Sequence, residues 1–147
     1  MPLADFQNAL ARMVMEPWLA ERVRKHGAAI LDSYQLTPLE KRRLEGIARQ
    51  ETGLRMATHF HRSFRLTKIA YTLPATKEAL GEKFGAVILD YWREHPDVHE
   101  YFDVEARRFG RWVAERTSSE RLRAIAEREL WELESRRNLT WADVPER

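Results

Sequence analysis

Apolar residues in this chain recur at helical spacing from one end to the other and almost nowhere alternate in the period-two pattern of a strand. Leu3, Phe6, Leu10, Met13 and Val14 mark a first helix from about 3 to 15. Phe84, Val87, Ile88, Tyr91 and Trp92 mark the most regular one, at i, i+3, i+4, i+7 and i+8. Phe102, Phe109, Trp112 and Val113 form a third such stripe, and Leu122, Ile125, Ala126, Leu130 and Leu133 a fourth. Breakers fall between the stripes at Pro17, Gly27, Pro74, Gly81 and Pro96. Thr37-Pro38-Leu39-Glu40 and Thr117-Ser118-Ser119-Glu120 read as capping boxes that start helices. The pattern predicts an all-α fold: a single-domain bundle of six or seven mostly antiparallel helices over 1–137, followed by a loose tail at 138–147.

The stretch from 55 to 81 is expected to organise that bundle. A helix at about 55–72 stops at Leu73-Pro74, because proline lacks the N–H and clashes with the preceding turn. A short turn then runs to Leu80-Gly81. Met56, Phe60, Phe64 and Tyr71 fall on one side of the long helix, and Leu66, Ile69 and Leu73 on another. Two apolar faces predict a helix enclosed by its neighbours, with Arg55, Arg62, Arg65 and Lys68 as a basic stripe on its open side.

Composition removes several function classes. With 147 residues, one domain can bury a sufficient core without staples. The chain has no cysteine, which excludes disulfides, Cys-ligated zinc, iron–sulfur clusters and a thiol nucleophile. No apolar run approaches the roughly 20 residues of a bilayer span, and Met1-Pro2-Leu3-Ala4-Asp5 lacks the start of a signal peptide, so the expected location is the cytoplasm. The net charge of +2 does not announce nucleic acid, although the cations are 20 arginines against 5 lysines.

Few residues converge on chemistry. His59 and His61 are two apart, so a regular helix points them about 160° away from each other and they cannot share a metal. His95 and His99 have a chelating i, i+4 spacing, but Pro96 interrupts it. Glu127, Glu129, Glu132 and Glu134 interleave with Arg128, Arg136 and Arg137 as a solvated helix face. No serine or threonine pairs with a base, and Gly81 and Gly85 do not make a phosphate loop. No metal-binding or catalytic residue is predicted in this chain, and the basic stripe is its most functional-looking feature.

The order of motifs resembles a known family. It comprises Leu3-Ala4-Asp5-Phe6-Gln7-Asn8-Ala9-Leu10, then His61-Arg62-Ser63-Phe64-Arg65, then Leu73-Pro74-Ala75-Thr76-Lys77-Glu78-Ala79-Leu80-Gly81. Tyr91-Trp92-Arg93-Glu94-His95-Pro96 and Val98-His99-Glu100-Tyr101-Phe102 follow, and Phe109-Gly110-Arg111-Trp112-Val113 closes the series. Over about residues 3 to 115 this is similar to the helical domain of a family labelled "DNA-binding". Its members serve as small partner subunits of TIM-barrel enzymes with two or three irons. Such enzymes modify cysteines in ribosomally made precursor peptides, as in the methanobactin and thiaglutamate pathways. His61-Arg62 stands where members have Tyr-Arg, Phe64 stands where Asn is common, and the peptide-recognition module many members add is not visible.

The resemblance implies a non-catalytic accessory subunit that forms a heterodimer with the iron enzyme and helps recruit or position the precursor peptide. The iron would belong to the enzyme, and this chain would carry no cofactor. The expected partner-binding residues are Arg55, Arg62, Arg65 and Trp92, with Arg107, Arg108 and Arg111 as a second group on the helix after His95-Pro96. A nucleic-acid-binding regulator is the alternative. A small enzyme built on His95, His99 and Glu100 is the third reading.

Overall fold

The computed structural model describes residues 2–97 and 102–142, with side chains described for 4–97 and 103–136. Eight α-helices occur among the described residues and no strand does. They are α1 (Pro2–Met15), α2 (Pro17–His26), α3 (Pro38–Arg49), α4 (Glu51–Thr72), α5 (Pro74–Leu80), α6 (Phe84–Glu94), α7 (Phe102–Arg116) and α8 (Glu120–Ala142). Short 3-10 turns cover Ala28–Leu31 and Gly81–Lys83. The class is all-α, as the periodicity leads one to expect. The chain divides into two compact units, Met1–Phe64 and Arg65–Arg147, and α4 runs from one into the other.

The first unit closes around Ala9, Met13, Leu19, Ala20, Val23, Ala28, Leu31, Leu44 and Ala48. Pro17 occupies the first turn of α2 and Pro38 that of α3, where a missing N–H costs nothing. At α3 the capping box forms as the sequence suggests. Glu40 N–H donates to Thr37 Oγ1 at 3.3 Å, and Thr37 N–H donates to Glu40 Oε2 at 2.8 Å. Gly27 ends α2 at φ 78°, a conformation open to glycine at little cost. A Cβ there would also meet Glu45 Oε1 at 3.2 Å, and that oxygen accepts the Ala28 N–H at 2.7 Å. One carboxylate thus ties α3 to the chain leaving α2. Gln50 separates α3 from α4, and Gly53 lies inside the first turn of α4.

The second unit is built on Ile69, Leu73, Leu80, Ile88, Tyr91, Trp92, Ala106, Phe109, Trp112 and Val113. Its aromatic centre is Tyr91, whose ring lies 5.2 Å from Phe109 and 5.7 Å from Trp112, both edge-on. At Gly110 α7 comes close to its neighbours: a Cβ there would sit 3.0 Å from Leu130 and 3.2 Å from Leu73. α5 follows Pro74 with no local side-chain cap. The cap comes from α8 instead: both oxygens of the buried Glu129 carboxylate accept backbone N–H groups, Ala75 at 2.8 Å and Thr76 at 2.7 Å.

Two sequence expectations are corrected here. α8 starts at Glu120 with Ser119, not Thr117, in the capping place: Ser119 Oγ accepts from Leu122 N–H at 3.2 Å, while Thr117 Oγ1 accepts from Ser119 N–H. The same helix reaches Ala142, so Asn138 to Ala142 are helical where a tail was expected, and residues 143–147 lie outside the described residues. Val98 to Tyr101, which precede α7, also lie outside the described residues. His99 and Glu100 of the small-enzyme reading are among them.

Candidate functional site

Helix α4 carries Arg55, Arg62 and Arg65 of the expected partner-binding residues, and one of its apolar faces is turned the opposite way from that expected. Met56, Phe60 and Phe64 are exposed, Phe60 at 65%. Further along the helix Leu66 and Tyr71 are exposed as well, Tyr71 at 81%. Two of the four cations lie inside. Arg65 is 1% exposed and Lys68 is fully buried. The expectation is corrected for the Met56–Phe60–Phe64–Tyr71 face, which is open, and for Arg65 and Lys68, which are enclosed; Ile69 and Leu73 are buried and Arg55 is open, as expected.

The physical reason is a carboxylate that periodicity cannot locate. Glu105 on α7 is fully buried, and its Oε1 accepts from Arg65 Nε at 3.0 Å and from Nη2 at 2.7 Å. Arg65 Nη2 also donates to the His95 carbonyl at 2.8 Å, and Nη1 to the Pro96 carbonyl at 3.2 Å. The guanidinium lies over the rings of Trp92, 5.5 Å from the centroid, and Tyr91, 5.8 Å away. A charge-paired, multiply bonded guanidinium can be buried where a bare one cannot. Burial, reinforced by the nearby Glu105 charge, pushes the Tyr91 hydroxyl well above its ordinary pKa. Arg65 and Trp92 therefore act as one internal clamp in this structure, holding the end of α6 against α7. Neither is on the surface.

The other expected partner-binding residues divide into two groups. Arg55 is exposed and Arg62 half-buried, and both border a cleft of about 290 Å³ in the first unit. Arg107, Arg108 and Arg111 do fall together, along a groove of about 550 Å³ that Arg116, Trp112 and His95 also line. Each arginine of the groove is already clasped. Arg107 bonds Asp103 at 3.0 Å, Arg108 reaches Asp97 at 3.4 Å, Arg111 bonds Glu134 at 2.9 Å, and Arg116 bonds Glu94. Such surface pairs add little stability and leave the groove with little net positive character.

His59 is exposed and His61 half-buried on successive sides of α4, and the His95 ring packs 5.0 Å from that of Tyr91. Among the described residues, no group of three or more His, Asp or Glu side chains could hold a metal ion. No described helix is long and apolar enough to cross a membrane. Two features escaped the sequence reading. Trp131 stands exposed on α8, one residue from the buried Leu130, where the stripe pattern gave no reason to single it out. The cleft owes its room to Ala20 and Ala48, two small residues on different helices whose only signal is their size. Compared with family models, characterised proteins and solved structures, the chain finds no match.

Proposed function

We propose that this chain is a non-catalytic, cytoplasmic accessory subunit. It binds a multinuclear iron TIM-barrel enzyme and helps position a ribosomally made precursor peptide for cysteine modification. The observation that carries the binding role is the apolar ridge on α4, where Met56, Phe60 and Phe64 stand exposed on successive turns. Large aromatics on a rigid helix are the residues that dominate protein interfaces, because they bury much area for little conformational entropy. An exposed cluster of this kind marks a contact surface more readily than a solvated face. The identity of the enzyme and of the peptide comes from the motif resemblance over residues 3–115.

The test is co-purification with the barrel enzyme encoded beside this chain. A stable complex is expected, lost on Phe60→Asp while the variant subunit keeps its helical circular dichroism and melting temperature. Separate elution of the wild-type proteins, with the enzyme fully active alone, overturns the reading.

A further inference from the structure

The first unit contains a cleft that the subunit reading does not use. Its walls come from α2, the end of α3 and the start of α4, and Pro17, Ala20, Ala48 and Leu54 give it an apolar lining. At about 290 Å³ it lies at the lower edge of cavities that hold a whole small-molecule ligand. One large apolar side chain with part of its backbone fits that size.

The rim is polar and divided by charge. On one side Arg24 bonds Glu51 at 2.7 Å and approaches Glu21 at 3.8 Å, and Glu21 also pairs with Lys25 at 2.7 Å. On the other side is Arg55, one turn after Glu51 on α4. Glu51 would be its ordinary i, i+4 partner, but the Glu51 carboxylate is turned to Arg24. Arg55 is exposed and, among the described residues, has no acidic side chain within salt-bridge distance. Thr58, deeper in the lining, spends its hydroxyl on the Val14 carbonyl at 3.1 Å. The cleft therefore offers one uncommitted charge-assisted donor beside an apolar space.

We propose that this cleft is a peptide-docking site for a segment that presents a large apolar side chain next to a single carboxylate. The apolar side chain fills the space against Ala20, Ala48 and Leu54, and the carboxylate takes the Arg55 guanidinium. Glu21 and Glu51 on the opposite rim repel a dianion, which favours a carboxylate over a phosphate. The site rests on the geometry of the first unit alone and stands whether or not the partner is an iron enzyme.

Acetyl-Phe-Glu-amide and its neutral isostere acetyl-Phe-Gln-amide are the probes, titrated into the full chain and followed by amide chemical shifts. Binding on the order of millimolar is expected for so small a ligand. Shifts should map to Ala20, Ala48, Leu54 and Arg55, and the Glu probe should bind at least fivefold tighter. Arg55→Ala should make the two probes equal, and Arg55→Lys should restore part of the difference. Equal binding of both probes to the wild-type chain, shifts mapping elsewhere, or an Arg55→Ala variant that keeps the preference would each overturn the proposal. Failure here leaves the Phe60→Asp result untouched, so the two surfaces are judged separately.

Discussion

Helix α4 before and after Phe64 shows one helix obeying two different rules. In residues 51–64 the apolar side chains Met56, Phe60 and Phe64 face out, and Arg55 stands free at the surface. In residues 65–72 Arg65 and Lys68 are inside beside Ile69. Arg55 and Arg65 have the same chemistry and the same helix under them. What separates them is the presence of a buried acceptor: Glu105 and two carbonyls converge on Arg65, whereas Glu51, one turn before Arg55, is engaged by Arg24. A cation's place is decided by the partner it meets, and an apolar ridge is exposed where no described residue covers it.

The comparison can be broken most severely at Arg65. Arg65→Ala removes both guanidinium bonds from the buried Glu105 carboxylate and should cost about 3–5 kcal/mol in urea unfolding. The double variant Arg65→Met, Glu105→Leu should lose distinctly less than the sum of the single changes, since it removes both charges together. An additive result would mean that the pair is not coupled. Next in size is Glu129→Ala, which strips both N–H acceptors from the start of α5 and should cost about 1–3 kcal/mol. Faster hydrogen exchange at Ala75 and Thr76, ahead of the rest of the unit, would locate the loss at that cap. At the small end, Arg111→Ala removes a pair in which the side chains are 60% and 47% exposed and should change stability by less than about 1 kcal/mol. Raising the salt concentration should narrow that difference further and leave the Arg65 effect nearly unchanged.

Much of the fold could be read before any coordinates. The breakers at Pro17, Gly27, Pro74 and Gly81 fall at observed boundaries, and the Thr37–Glu40 cap forms as its spacing implies. These are local effects, decided by φ restrictions and by hydrogen bonds spanning a few residues. Much less of the candidate site was readable. Periodicity placed Met56, Phe60, Phe64 and Tyr71 together on α4 correctly, but it assumed that an apolar face turns inward. It could not foresee that Glu105, forty positions later, would draw Arg65 inside. Nor could it see that Ala20 and Ala48 would leave a space beside Arg55, because a cavity is a property of facing helices.

The sequence alone determined that this chain is helical and where most of its helices start and stop. Those outcomes follow from short-range sterics, capping and the period of the apolar pattern. Tertiary structure alone decided which face of α4 is buried, which arginine is a clamp and which is free, and that α5 is capped from α8. The reason is that burying a charge is favourable only where partners from distant parts of the chain meet it, and that meeting is a property of the packed molecule.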